Sequence, residues 1–253
     1  MFKYFFYSKE NIPQNVGFQM YDKSHIIWLC LITCFIVIIS NRYKNLTEEK
    51  CEHFKKIYGI IVLMTEIIYQ TIHIVTHQFT IDYLPLHLCG LAIYICLYDV
   101  FFSSDVMKEF FYCLCMPGAL MALLFPNWTC LPILNFACID SFIVHAMLVA
   151  YPIMLIRSGE FSPDFRRLPK CNLILFAVAI PIYGFNKIFN TNFLFINFPS
   201  EGSPLVLLEK WLGNPGYIIG VYFLILICWF MLYLPFVIKN IYIERCKVKN
   251  ICT

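Results

Sequence analysis

Six histidines and thirteen cysteines give this chain its chemical possibilities. Five histidines (His25, His73, His77, His87 and His145) lie in or beside apolar runs, and only His53 falls in a basic loop. Ionisable groups inside membrane spans are costly and mark sites or pathways by default. Glu66, Gln70, His73 and His77 stand at offsets 0, 4, 7 and 11. At 100° per residue these fall within roughly 60° of one another on a helix. That stripe is either a hydrogen-bonded seam between helices or one wall of a polar site.

Two further residues suit nucleophilic and general-base chemistry. Cys89 follows Tyr83-Leu84-Pro85-Leu86-His87-Leu88, and proline favours the first helical turn. The spacing predicts a helix starting near Pro85, with Cys89 about one turn in, where unpaired amides and the helix dipole favour a thiolate. His87 and Cys89, two apart, do not face one way on a regular helix. A second run carries Asp140, Ser141 and His145. Ser141 and His145, four apart, share a face, and an imidazole titrates near neutrality, as a general base must. Counted from a start at Ile133, His145 lies roughly 18 Å along its helix. His73, His77, His87, Cys89, Asn127, Asp140 and Asn186 converge on one half of the layer, predicting a polar cavity there.

The elements that must position these groups follow from composition. Of 253 residues, 60% are hydrophobic and 14% charged, with mean hydropathy +0.70. Soluble domains carry about 25% charged residues, so a soluble domain, a disordered chain and a collagen-like chain are excluded. The net charge of +3 gives no footprint for nucleic acid. Most cysteines sit in apolar runs and read as small packing residues; Cys113 and Cys115 point apart on a helix and form no zinc pair. The fold expected is an all-α polytopic bundle in one membrane domain, 1–253. Its seven spans lie near 24–40, 57–77, 84–102, 109–125, 133–156, 172–188 and 216–238, after an interfacial leader (1–23) and before a basic tail (239–253). Pro117-Gly118 kinks the fourth span, and neighbouring helices must compensate.

Loop charges orient the bundle. With seven spans and the N-terminus outside, fourteen of the Lys and Arg residues fall inside and five outside. This predicts N-out/C-in topology in a cell membrane, with the polar cavity in the outer half. The late outer segment, about 189–215, is itself apolar and punctuated by Pro199, Gly202, Pro204, Gly213 and Pro215. It either dips into the interface as a lid or packs on the bundle.

The run Leu84-Pro85-Leu86-His87-Leu88-Cys89 resembles the signature of the YwaF-like integral membrane proteins, related to the transmembrane protein 164 acyltransferases. Pro117 to Pro126, Phe142-Ile143-Val144-His145, and Asn192-Phe193-Leu194-Phe195 with Pro199 and Pro215 extend the resemblance over about residues 20–235. Two positions depart from the pattern: Asn127 replaces the usual acid after the proline, and Asp140 stands where the family has glutamine. The resemblance implies acyl transfer among membrane phospholipids and lysophospholipids, without a cofactor or metal. Cys89 is then the nucleophile and His145 the acid and base, with His87, His73, Gln70, His77, Asp140, Ser141 and Asn186 in support. A site in the outer half would not meet cytosolic acyl-CoA, so the expected donor is a phospholipid.

Two other classes fit parts of the pattern. His73 and His77, one turn apart, with His87 would supply the three ligands of a catalytic zinc, as in a seven-span lipid hydrolase. The stripe from Glu66 to His77 would also serve a transporter or receptor as a proton path, although no inverted repeat is present.

Overall fold

Apolar runs of helical length become helices, and the polar punctuation between them becomes caps and turns. The computed structural model describes residues 3–200 and 203–251. Phe2, Gly202 and the last two residues of the tail lie outside the described residues. Helices α1 (Lys23–Lys44), α2 (Glu48–Val75), α3 (Leu88–Phe102), α4 (Asp105–Phe110), α5 (Met116–Leu124), α6 (Phe136–Ser158), α7 (Leu168–Phe189), α8 (Leu205–Leu212) and α9 (Tyr217–Ile251) follow in order, with no strand among the described residues. Six stretches are long and apolar enough to cross a membrane: α1, α2, α4–α5, α6, Phe165–Phe189 and Tyr217–Lys239. Helix α3, at 15 residues, is shorter. The chain is a multi-pass, all-helical membrane protein.

Helix α6 is the axis of the bundle. Two-thirds of its most apolar stretch is buried, as is 61% of that of α4–α5, against 11–22% for α1, α2, α7 and α9. The outer helices turn large apolar side chains such as Ile38, Leu173, Ile188 and Phe230 outward, where hydrocarbon is the solvent.

The fourth span breaks as its proline requires. Phe111–Cys115 forms a π-helical turn just before Pro117. Proline lacks an N–H and crowds the carbonyl four residues back, here that of Cys113. Trp229 of α9 donates its indole N–H to that carbonyl at 3.0 Å. The compensating neighbour expected from the sequence is therefore a single side chain.

The bundle has two ends, a leader end where α1 and α6 start and a tail end where both finish. At the tail end, buried charges join the helices. Lys55 of α2 closes on Glu160, which also takes the Tyr43 hydroxyl and stands 3.9 Å from Lys108. Asp99 accepts the Tyr151 hydroxyl at 2.7 Å and the Ser104 amide at 3.0 Å. Glu109, fully buried, accepts from Arg167 at 3.0 Å, from the Asp164 amide at 3.0 Å and from the Tyr233 hydroxyl. Each buried charge has opposite charges or donors around it, which is the condition for keeping it in a low dielectric.

At the leader end, residues 3–22 fold down onto the bundle. Asn135 caps α6 with its side-chain oxygen and donates Nδ2 to the carbonyls of Tyr4 and Tyr7 at 2.7 and 2.9 Å. Gln78 receives the Ser8 amide at 2.7 Å and donates to the Phe6 carbonyl at 2.8 Å. Asp22 caps α1 by accepting the His25 amide at 2.8 Å, a bond that holds its carboxyl below the usual range.

Several boundaries differ from expectation. Helix α2 begins at Glu48, because the charged stretch to Lys56 is helical and leaves Asn45–Thr47 as the link. Helix α6 begins at Phe136, where Asn135 caps it, rather than at Ile133. The basic tail continues α9 to Ile251 instead of forming a separate segment. The late segment holds a 3-10 turn, Phe193–Phe195, and α8.

Candidate functional site

The stripe on α2 is shorter than its spacing predicts. The helix ends at Val75, so His77 lies beyond it, exposed and with φ +54°. It shares no helical face with Glu66, Gln70 and His73. The chain then turns back through Thr80–His87 along the last turns of α2. Gln70 fixes this return, donating Nε2 to the Tyr83 carbonyl and to Glu66, both at 2.6 Å. Tyr83 stacks on His73, with centroids 4.0 Å apart, and Tyr69 meets His73 edge-on at 4.6 Å. Gln70 lies five residues before the helix end, so the return runs about 8 Å along the helix below that end. Non-helical backbone at such depth is tolerated where protein or a polar cavity surrounds it.

This return delays the start of α3. Leu86 donates to the Leu84 carbonyl at 2.7 Å in a tight turn. His87 is the N-cap residue and α3 begins at Leu88, three residues after Pro85. Cys89 therefore sits in the first turn itself, one residue after the helix begins. Two glycines make room for this arrangement. A Cβ at Gly90 would lie 2.7 Å from the Pro85 carbonyl oxygen, and one at Gly118 would lie 2.9 Å from Leu88.

His145 is buried at 8% exposure. With α6 starting at Phe136, it lies nine residues in, about 14 Å along the axis and nearer the leader end than a start at Ile133 implies. Its Nδ1 is 2.6 Å from the Ser141 carbonyl. A carbonyl only accepts, so Nδ1 carries the proton. In the neutral ring Nε2 then keeps a lone pair, the form a general base needs. The Ser141 hydroxyl donates to the Ala137 carbonyl at 2.7 Å, so Ser141 positions His145 through its backbone. Trp128 stacks on the imidazole at 5.2 Å. Its indole N–H is buried without a hydrogen-bond partner, as are both ring nitrogens of His73.

His87 is covered by the late segment. Its ring lies 5.2 Å from Phe193 and 4.9 Å from Phe195. Asn186, fully buried, holds that segment by donating to the Phe193 carbonyl at 2.9 Å. It also accepts from the Phe193 amide at 2.9 Å and from Thr191 at 2.8 Å. The segment packs over a site residue through one asparagine.

The candidates fall into two groups. Cys89 lies within electrostatic reach of Glu66 and Asp140, which also sense each other. His87 lies within electrostatic reach of His145. Among the described residues no hydrogen bond joins Cys89 to His145. His77 stands apart from both groups, and Asn127 is exposed. The zinc geometry expected from His73 and His77 is not formed, because one is clasped by tyrosines within the helix and the other lies outside it. Among the described residues no three His, Cys, Asp or Glu side chains come together as metal ligands would.

Sequence reasoning passed over Trp128, Gly90 and His25. The signal for Gly90 was its place directly after the cysteine. His25 is fully buried, accepts the Tyr21 amide at Nδ1 and donates Nε2–H to the Leu123 carbonyl at 2.8 Å. It ties α1 to the end of α5 and has no ring nitrogen left for chemistry.

No curated protein and no solved structure matches the chain. One protein family does, over residues 20–233, a stretch that holds the return, Cys89, His145 and the aromatic segment over His87. Its description is the TMEM164 family. By that match, which runs from the start of α1 into α9, the chain belongs to the TMEM164 family.

Proposed function

We propose that this protein is a membrane-embedded acyltransferase that moves an acyl chain between glycerophospholipids through a thioester on Cys89. The observation that carries the reading is the place of Cys89 in the first turn of a helix that begins inside the bundle. That turn offers amides without helical partners, and the buried thiol gives up its proton to a base as sulfur attacks. The same amides are placed for the oxyanion of a tetrahedral intermediate.

In this reading the donor ester sits between Sγ of Cys89 and Nε2 of His145. His145 takes the thiol proton as sulfur attacks the ester carbonyl carbon. The tetrahedral intermediate collapses, the carbon–oxygen bond breaks, and the imidazolium returns the proton to the departing lysolipid oxygen. A lysolipid hydroxyl then gives its proton to Nε2 and attacks the thioester, and the sulfur leaves as thiol. Water in place of the lysolipid would give hydrolysis. Ser141 keeps His145 in the required tautomer, and Asn186 holds the segment that shields His87 from water. The site belongs to the leader-end half of the bundle. With N-out topology in a cell membrane, that half faces away from cytosolic acyl-CoA, so the donor is a phospholipid.

The test is transfer by purified protein in detergent from a radiolabelled diacyl phospholipid to a lysophospholipid, with Cys89→Ala and His145→Ala alongside. Label in the acceptor, lost in both variants, supports the reading. Label unchanged in the variants removes these residues from the mechanism. Transfer from acyl-CoA with none from phospholipid overturns the choice of donor.

A further inference from the structure

A long apolar groove runs between α1, α2 and α6, with a volume of about 480 Å³. Trp28 and Phe142 stand at its leader end, and Ile39 and Phe54 at its tail end. The one hydroxyl in its wall, that of Tyr58, is turned onto the Met147 carbonyl at 2.7 Å. Leu31, Phe35, Ile57, Ile61 and Ile143 on its rim face outward. The rim lies on membrane-spanning helices, so the groove opens sideways into hydrocarbon. From Trp28 to Ile39 is eleven residues, about 16 Å of helix. That is about half of the ~30 Å hydrocarbon layer, the depth one leaflet's acyl chain occupies.

The leader end of the groove leads to the site. Phe142 lines the groove, stacks on Trp28 at 4.9 Å and meets Trp128 edge-on at 5.5 Å. Trp128 in turn covers His145, and its indole N–H is buried with no protein acceptor. An apolar trough as long as a leaflet is deep therefore ends beside an unpartnered donor and an imidazole.

We propose that this groove holds the transferred acyl chain of a membrane phospholipid, methyl end toward Ile39 and Phe54, with the ester carbonyl received by the Trp128 N–H. This rests on the acyl-transfer reading and adds where the chain lies and what measures its length. The groove floor near Phe54 then sets the longest chain accepted, and a bulky side chain midway shortens that limit.

Two measurements test it separately from the transfer reading. The first uses protein in phosphatidylcholine vesicles containing a phosphatidylcholine with a photoactivatable diazirine near one chain's methyl end. Adducts should concentrate on α1 and α2 peptides spanning Leu31–Ile39 and Phe54–Ile61. They should fall at least fivefold in Ala146→Trp, and in Ile143→Trp, whose rim position leaves the core unfilled. Adducts equally heavy on the outer faces of α7 and α9 and unchanged in the folded variants would overturn the proposal, whether or not the protein transfers lipid. The second compares acyl donors of different chain length. Ile57→Trp, one turn from Phe54 on the exposed rim, should lower the long-to-short transfer ratio at least tenfold. Trp128→Phe, which keeps an aromatic face but removes the N–H, should slow all lengths about equally, by tenfold or more. An unchanged ratio, or full activity in Trp128→Phe, would overturn the assignment. Absence of transfer in the wild type would sink the transfer reading and leave the crosslinking result to decide the groove.

Discussion

The two ends of the bundle solve opposite problems with similar residues. At the tail end, Lys55, Lys108, Arg167, Asp99, Glu109 and Glu160 bring charge into the protein, and each is matched by opposite charges or donors. At the leader end, His73 has no partner on either ring nitrogen and Trp128 has a bare N–H. Buried polar groups are normally satisfied. The buried side chains left without partners, His73 and Trp128 among them, lie at the leader end beside satisfied ones such as Asn135 and Asn186, and the tail-end charges are all partnered. Under the proposed function, stability belongs to one end and chemistry to the other.

That division predicts which changes alter rate and which alter melting. Cys89→Ala should abolish transfer, by about 10³-fold or more, and His145→Ala should cost about 10²–10⁴-fold. Cys89→Ala, which removes only a sulfur, should shift the unfolding free energy by about 1 kcal/mol, read as a small change in melting temperature in detergent. A large loss of stability in Cys89→Ala would blur the division.

At the other end, Glu109→Ala leaves Arg167, Tyr233 and the Asp164 amide without their shared acceptor. Breaking such a buried pair costs about 3 kcal/mol, so the variant should melt well below the wild type. The protein that remains folded should transfer at the normal rate per molecule. A normal melting temperature with a reduced rate would reverse the two roles.

Trp229→Phe removes the donor that serves the Cys113 carbonyl beside Pro117 and should cost about 1–2 kcal/mol. Pro117→Ala supplies a backbone N–H nearby, so Trp229→Phe should be much less costly in that background. Additive losses would mean that the indole does not compensate for the proline.

The smallest effect belongs to the cap of α1. Asp22→Ala should cost about 1 kcal/mol. The Asp22 carboxyl is held below its ordinary range by the His25 amide, so its contribution is present above the unfolded value and lost as pH falls through the folded one. The wild type should therefore lose this increment on acidification below about pH 4, and Asp22→Ala should not. Equal acid sensitivity of the two proteins would remove the cap from the account.

Much of the fold could be read from local pattern. Seven apolar runs gave seven helical stretches, and Pro117 announced a break that a neighbour had to repair. What the sequence did not carry was set by distance or by caps. Glu160 meets Lys55 across 105 residues, and no periodicity foretells that pair. His77 kept helical spacing from His73 but not helical backbone, because the helix ends at Val75. Pro85 suited a first turn, yet its backbone packs on Gly90 and the helix waits until Leu88. The polar residues of the leader-end half were named in advance. Their division into a Cys89–Glu66–Asp140 group and a His87–His145 group needed coordinates.

The central claim is the thioester, and it can be trapped. Purified protein would be incubated with an isotopically heavy diacyl phospholipid, quenched in acid, digested and analysed by mass spectrometry for acyl adducts. The account predicts the heavy acyl mass on the peptide containing Cys89, removed by neutral hydroxylamine, chased off by added lysophospholipid and absent from Cys89→Ala. Continuing transfer with Cys89 unmodified, or retained in Cys89→Ala, would contradict it.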